Sequence, residues 1–259
     1  MAAFTLDKWY LDGVSAGGRA VIAYAARLRL GPLALGYTGL LDAAPGQPAR
    51  YRSALRRFQA PALREGRLRF TAGALGFRAE LAPRDPAGSA TFLDAAEGAV
   101  TWSCQVPRGA GLFTVGDDRF EALGYAEHVR LTLPPWRLPI HTLRWGRILT
   151  ATGSLAWVDW AGEGHQARLA LRDGRPAPLG EVSEARVTGA GGEPLGTLGE
   201  GRVLRSGWLS RTVGPGLPAA LREALPGRAL RLHETKWCSP ARLCDGSEGW
   251  AIHEVVTWR

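Results

Sequence analysis

Along most of the chain, apolar side chains recur at every second position in short runs that end at Gly or Pro. Such alternation indicates β-strands, in which successive side chains point to opposite faces. Roughly fifteen runs of this kind can be drawn, for example Arg19 to Leu30, which Gly31-Pro32 turns into Leu33 to Leu41. Only Pro218 to Leu225 reads as a helix, because a proline begins it and Pro226-Gly227 ends it. The sequence therefore predicts an all-β protein of barrels or sandwiches, with enough strands for two consecutive antiparallel β-barrels and with one short helix near the C-terminus.

The break between the two barrels is placed in the glycine-rich stretch from Gly109 to Gly116. The N-terminal barrel is then predicted to cover residues 1–115 and the C-terminal barrel residues 116–259. Pro107-Arg108-Gly109 is expected to end the strand that begins at Val100. Further along, three prolines between 134 and 139 cannot donate to a ladder, so a loop that presents Trp136 is expected there.

The charge balance is basic, with 32 Lys plus Arg against 24 Asp plus Glu, and only Lys8 and Lys236 are lysines. A basic surface can attract RNA or an anionic membrane. Because no nucleic-acid-binding motif is present, we expect a solvated arginine surface and no nucleic-acid partner, and a peripheral membrane contact remains open. No signal-peptide pattern and no apolar run of about eighteen residues occurs, which predicts a cytoplasmic protein without a transmembrane segment.

The three cysteines, Cys104, Cys238 and Cys244, contain no C-x-x-C pair. An odd number without that spacing argues against a disulfide framework or a zinc site, and favours packing residues in a reducing compartment. H-E-x-x-H, Walker, G-x-S-x-G and strand-linked G-x-G-x-x-G patterns are all missing. No metal and no cofactor are therefore expected.

The stretch from Gly124 to Trp136 contains the first candidate for chemistry. Read as a strand, it puts Tyr125, Glu127 and Val129 on one face and His128 on the other. An ionisable carboxylate on an apolar face must be paired, coordinate an ion or give up its charge. Glu127 is therefore the leading functional candidate.

Asp159 and Glu254 share this feature, since each alternates with Trp and aliphatic residues. One interpretation is a structural ion pair with an arginine such as Arg144, Arg147 or Arg27. The other is an acid kept protonated by desolvation, able to donate a proton or to hydrogen-bond a carbonyl. The residues alone leave both open.

Tryptophan is abundant, with ten copies in 259 residues. Tryptophans can simply fill a β core. They can also form aromatic walls that bind a long apolar ligand and stabilise a cationic intermediate. The tryptophans near the candidate acids in sequence are Trp136, Trp145, Trp157, Trp160, Trp250 and Trp258.

Four short segments together resemble the AttH-like, or carotenoid 1,2-hydratase, group of lipocalin-like (calycin) proteins. They are Lys8-Trp9-Tyr10, Gly124-Tyr125-Ala126-Glu127-His128, Leu143-Arg144-Trp145-Gly146-Arg147 and Trp157-Val158-Asp159-Trp160. The resemblance implies two consecutive lipocalin-like barrels with an apolar ligand site. Val129-Arg130-Leu131 stands where that group commonly has Asn-Trp-Gly. Glu127, His128, Arg144 and Trp145 match its motif most closely.

These observations lead to the hypothesis of a cofactor-independent hydratase, cyclase or isomerase, including a pericyclase, that acts on an apolar polyene, isoprenoid or polyketide intermediate. The alternative is a non-catalytic carrier of a hydrophobic metabolite. The expected catalytic residues are Glu127, Asp159, Glu254 and Arg144. The expected substrate-binding residues are Trp9, Tyr10, Tyr125, His128, Trp136, Trp145, Trp157 and Trp250.

Overall fold

The computed structural model of the chain describes residues 4–55, 59–208 and 231–258. It is 71% strand and 3% helical, so the all-β prediction is confirmed. The strands form two antiparallel sheets, one of which is a half-barrel. The helix predicted at Pro218 to Leu225 lies outside the described residues. No helix in the described ranges is both long and apolar enough to cross a membrane.

The first compact unit comprises Met1–Pro134 and Asp173–Arg175. Its sheet has the strand order β4-β3-β2-β1-β10-β9-β7-β6-β5, with β8 also paired to β9. The strands are β1 (Phe4–Val14), β2 (Ala20–Leu30), β3 (Leu33–Ala43), β4 (Arg50–Leu55), β5 (Ala62–Arg64), β6 (Arg67–Ala72), β7 (Phe77–Pro83), β8 (Gly88–Ala95), β9 (Gly98–Val115) and β10 (Asp118–Leu131).

The second compact unit comprises Pro135–Arg172 and Pro176–Arg259. The second sheet has the order β14-β13-β12-β11-β19-β18-β16-β15, with β17 also paired to β18. Both sheets therefore share one plan, in which a four-strand meander leads back so that the first strand pairs with the last. The strands are β11 (Thr142–Thr150), β12 (Ser154–Gly162), β13 (His165–Arg172), β14 (Arg175–Ala177), β15 (Arg186–Thr188), β16 (Pro194–Leu198), β17 (Arg202–Trp208), β18 (Leu232–Leu243) and β19 (Glu248–Trp258).

The boundary predicted at residue 115 falls inside the first unit. β10 pairs with β1 and with β9, so it completes the first sheet, and the first unit continues to Pro134. The glycine-rich stretch is part of the β9–β10 hairpin rather than a linker. β9 also runs through Pro107, where a strand end was expected. The register shifts twice between Gly124 and Glu127, and such bulges accommodate a residue that cannot donate to the ladder.

In the first unit, both faces of the central strands are buried. One face contributes to an apolar core cluster that includes Leu11, Val106 and Ala126. The opposite face of the same strands carries Tyr10 and Tyr125, which are also buried. Polar side chains on that second face are therefore removed from water, and each must have its hydrogen bonds satisfied within the protein.

The second unit has its own core, which includes Ile148, Leu155 and Trp157. Trp157 lies directly across the ladder from Gly146. A Cβ atom on Gly146 would collide with the Trp157 indole and would approach the Cβ of His253 to 2.8 Å. The glycine therefore makes room for this tryptophan in the core.

Candidate functional site

The carboxylate of Glu127 is buried on β10, with the residue 6% exposed. Two neutral groups donate hydrogen bonds to the same oxygen, Oε2. The Trp102 indole N–H and the Tyr125 phenol O–H each lie 2.6 Å from it. These two bonds fix the orientation of the carboxyl group, and hydrogen bonds to an ionised acceptor are about twice as strong as neutral ones.

Strand pairing explains how these groups meet. Tyr125 precedes Glu127 by two residues and lies on the same face of β10. Across one ladder, Glu127 faces Cys104 on β9, and Trp102 is two residues from Cys104 along that strand. Across the other ladder, Glu127 faces Tyr10 on β1. Side chains from the three neighbouring strands β1, β10 and β9 therefore meet at one buried position.

A second carboxylate, that of Asp12, lies in the same region. The Tyr10 phenol donates to Asp12 Oδ2 over 2.8 Å. The rings of Tyr10 and Tyr125 meet edge to face, with centroids 6.2 Å apart. We call this group the Glu127 cluster; its members are Tyr10, Asp12, Trp102, Cys104, Tyr125 and Glu127.

The phenol and the thiol of the Glu127 cluster are both held in their neutral forms. Burial raises the pKa of Tyr125 well above its ordinary value, and the nearby Cys104 and Glu127 raise it further. Tyr125 is therefore a neutral phenol that donates a hydrogen bond to Glu127 rather than a phenolate. Burial likewise raises the pKa of Cys104 well above its ordinary value, so this thiol is not an activated nucleophile near neutral pH.

Trp9 and His128 lie on the other face of their strands, as alternation predicted for His128. Their rings stack with centroids 3.9 Å apart, and Trp9 packs against the core cluster. Burial lowers the pKa of His128, and Asp7, 3.3 Å from its Nε2, opposes that effect. These two predicted substrate-binding residues are therefore separated from Glu127 by the sheet, whereas Tyr10 and Tyr125 are beside it.

Asp159 belongs to an ion pair in the second unit. Its carboxylate lies 3.1 Å from Arg168 and 4.0 Å from Arg144. The two arginine side chains are 43% and 41% exposed, so these charges are partly in water. Asp159 and Arg144, both predicted to be catalytic, are therefore arranged as in the first of the two interpretations, a structural ion pair.

Glu254 forms an ion pair with Lys236, whose side chain is only 1% exposed. The Lys236 ammonium also lies over the Trp145 ring, 5.6 Å from its centroid. β11 pairs Arg144 with Asp159 but Trp145 with Glu254, and adjacent strand positions point to opposite faces. The side chains of Asp159 and Glu254 therefore lie on opposite faces of the second sheet.

Two of the tryptophans that were predicted to bind substrate also lie on opposite faces of the second sheet. Trp145 is on the face of Glu254, whereas Trp157 is on the opposite face, within the core. Trp136 is half-buried in the 3₁₀ turn Pro135–Arg137, which the prolines form in place of a strand, and Trp250 is also half-buried. Trp145 and Trp157 do not line a common surface, because Trp157 faces Gly146, whose neighbour Trp145 points to the other side of the sheet.

The shared plan of the two sheets allows Glu127 and Glu254 to be compared directly. Each is on the last strand of its unit and faces an aromatic residue on the first strand, Tyr10 or Trp145. On the penultimate strand, Glu127 faces Cys104, whereas Glu254 faces Lys236. The second-unit carboxylate is therefore tied to a cation, while the first-unit carboxylate has hydrogen bonds from neutral indole and phenol groups.

A separate buried polar pair lies in the second unit. Ser239 Oγ and His253 Nε2 are 2.9 Å apart, and the His253 ring stacks on Trp237 with centroids 5.1 Å apart. Burial, together with Lys236, lowers the pKa of His253 to about 4. Over the described ranges, no group of three His, Cys, Asp or Glu side chains is arranged to hold a metal ion.

Sequence reasoning missed Trp102, Cys104 and Asp12 as neighbours of Glu127. Trp102 and Cys104 alternate with Val100 and Val106, which made them look like ordinary core residues. The missing information was the pairing of β9 with β10, which no local pattern gives. A signal was nevertheless present, because an indole N–H buried in a strand needs an acceptor.

The two antiparallel sheets, each with its first strand paired to its last, define a lipocalin-like all-β protein. No family model matches the sequence, and no curated protein matches it. Solved structures do match over nearly the whole chain, and the resemblance to AttH-like proteins is confirmed at the level of the fold.

An AttH-like protein from Nitrosomonas europaea aligns with a TM-score of 0.56 and 12% identity, covering 99% of this chain and 94% of the other. CghA bound to Sch210972 aligns with a TM-score of 0.52 and 10% identity, covering 98% and 89%. Kievitone hydratase from Nectria haematococca aligns with a TM-score of 0.50 and 10% identity, covering 98% and 88%. This chain therefore shares its fold with an AttH-like protein, with CghA and with a hydratase.

Proposed function

We propose that this protein is an enzyme that hydrates, cyclises or isomerises a largely apolar polyene, isoprenoid or polyketide intermediate without a redox cofactor. In this proposal Glu127 exchanges a proton with the substrate or hydrogen-bonds its carbonyl group. The single observation that carries the proposal is the buried Glu127 carboxyl group, which receives hydrogen bonds from Trp102 and Tyr125 at 2.6 Å. The fold shared with a hydratase and with CghA supports the reaction class.

Proton transfer to a carbon–carbon double bond needs an acid that can be neutral before the transfer and stable as an anion after it. Burial of a carboxyl group favours the neutral form. Hydrogen bonds from Trp102 and Tyr125 then stabilise the carboxylate that remains once the proton has left. Burial thus favours the neutral acid before the transfer, and the hydrogen bonds favour the carboxylate after it. This combination suits a group that must both give and recover a proton.

Protonation of an alkene produces a carbocation, and aromatic ring faces stabilise positive charge. Tyr10, Tyr125 and Trp102 supply aromatic rings around Glu127. In a pericyclic reaction no proton moves, and a Glu127 carboxyl group would instead polarise a substrate carbonyl while the site holds the reacting carbons close together. The same cluster serves either chemistry.

The test compares Glu127→Gln with the wild-type enzyme. Compounds that co-purify with the protein are identified by mass spectrometry, and their conversion, or that of related polyenes, is followed by loss of ultraviolet absorbance. Glutamine keeps the size and the hydrogen-bond acceptor but cannot exchange a proton, so turnover should fall by about 100-fold or more. The dissociation constant for the compound should change far less.

Glu121→Gln is the matched control, because it makes the same chemical change on the same strand at an exposed position. Its turnover should equal that of the wild type. Unchanged turnover in Glu127→Gln would exclude the catalytic role for this residue. A wild-type protein that binds such compounds and returns all of them unaltered would instead be a carrier.

A further inference from the structure

Three of the exposed large hydrophobic residues lie in two turns of the first unit. Leu30 and Leu33, in the β2–β3 turn, are 36% and 65% exposed, and Leu63, at the β5–β6 turn, is 63% exposed. The β2–β3 turn is stiffened by Pro32 and contains Gly31 at a φ of 57°. Exposed leucines at the tips of hairpins cost solubility, so a cluster of them indicates a contact with an apolar phase.

The two turns lie at the same end of the first sheet. Neighbouring strands run antiparallel throughout the order β4-β3-β2-β1-β10-β9-β7-β6-β5. Because strand directions alternate along this order, the β2–β3 turn and the β5–β6 turn lie at the same end of the sheet. β4 approaches the 3₁₀ turn Gly73–Leu75, which follows β6 at the opposite end, so the two sides of the sheet come close to each other there. We call the end formed by residues 29–33 and 63–67 the leucine tip.

The leucine tip is also basic. Arg29 and Arg64 are exposed next to the three leucines, while Arg67 pairs with Glu80 and Arg69 pairs with Glu65, each at 3.3 Å. The whole chain carries a formal net charge of +8. Arginine beside an exposed aliphatic side chain matches the boundary of an anionic bilayer, where lipid head groups take the cations and acyl chains take the leucines.

We propose that the leucine tip docks on the surface of an anionic lipid bilayer. RNA is a poorer fit, because single-stranded nucleic acid is bound by exposed aromatic rings, and the exposed large hydrophobics among the described residues are all aliphatic. The docking does not depend on the activity of the Glu127 cluster. It would place an enzyme for an apolar substrate next to the phase that dissolves that substrate, a consequence that rests on the proposed function.

The experiment measures co-sedimentation of the full-length protein with vesicles of phosphatidylcholine alone or mixed with phosphatidylglycerol. The wild type should bind the anionic vesicles and be released as salt is raised. Leu33→Asp and Leu63→Asp should each weaken binding by about tenfold, because a leucine that would enter the acyl layer is replaced with a charge that the anionic lipid repels. Exchanging both Arg29 and Arg64 for Glu should weaken it by about twenty-fold or more.

Val203→Asp is the matched control, since Val203 is 52% exposed on β17 of the second unit. It introduces the same charge away from the leucine tip and should bind like the wild type. Circular dichroism verifies that each variant is folded. Absence of binding to anionic vesicles at low salt, equal binding of Leu33→Asp and Leu63→Asp to that of the wild type, or an equal loss in Val203→Asp would each overturn the proposal. Binding to RNA with no binding to vesicles would do so as well.

Discussion

Replacing Trp102 with phenylalanine tests the geometry of the Glu127 cluster without touching the carboxylate. Trp102 is 3% exposed and Glu127 is 6% exposed, so water cannot readily replace the lost N–H donor. Removing the donor of a buried hydrogen bond costs about 2 kcal/mol, and the smaller ring leaves a space that costs about 1 kcal/mol more. The free energy of unfolding should therefore fall by about 3 kcal/mol.

The assay is urea denaturation followed by circular dichroism, with Trp258→Phe as the control. Trp258 is half-buried near the end of β19, and its substitution should cost less than about 1 kcal/mol. With a slope of about 2 kcal/mol per molar urea, the loss in Trp102→Phe should lower the midpoint of its transition by about 1.5 M.

A double-mutant cycle with Glu127→Gln separates the hydrogen bond from the packing. Glutamine still offers Trp102 an oxygen, but a neutral one, and a charge-assisted bond is about twice as strong as a neutral bond. The cost of Trp102→Phe should therefore be about 1 kcal/mol smaller in the Glu127→Gln background. A cost of Trp102→Phe no larger than that of Trp258→Phe would refute the hydrogen bond described between Trp102 and Glu127, and equal costs in both backgrounds would show that its acceptor is a neutral carboxyl group.

Two further predictions concern the second unit. Because burial lowers the pKa of His253 from 6.5 to about 4, the unfolded chain binds more protons between these values, and stability should be lost as the pH falls from 6.5 through 4. The loss should approach 3 kcal/mol, and His253→Gln should flatten this dependence in denaturation curves measured at several pH values. Gly146→Ala should lower the free energy of unfolding by about 3 kcal/mol, since its Cβ would displace the Trp157 indole. Gly73→Ala, with nothing within 4 Å of the new Cβ, should change it little, and similar costs for the two alanines would contradict the packing described at Gly146.

Local alternation predicted much of the strand content. The hairpin of β2 and β3 was predicted within about two residues, because its apolar period and its Gly31-Pro32 turn agree. β9 was predicted too short, since Pro107-Arg108-Gly109 reads as a strand end when no partner strand is known. A bulge opposite Tyr125 and Glu127 lets the ladder continue, and bulges depend on the partner strand rather than on the sequence of one strand.

The candidate site was likewise predicted only in part from the sequence. The period of two placed Glu127 beside Tyr125 and apart from His128, and the structure has all three in those positions. The sequence alone thus determined that a carboxylate on β10 shares a face with aromatic and aliphatic residues. It could not distinguish Glu127 from Asp159 or Glu254, because the three acids have the same local pattern.

Only the tertiary structure decided which partners those acids meet. Strand pairing gives Glu127 an indole and a phenol, gives Asp159 two arginines and gives Glu254 a lysine. These partners come from strands that are distant in sequence or from the opposite side of a hairpin. The physical reason is that alternation fixes the face on which a side chain lies, whereas the register and order of the strands fix which neighbours share that face.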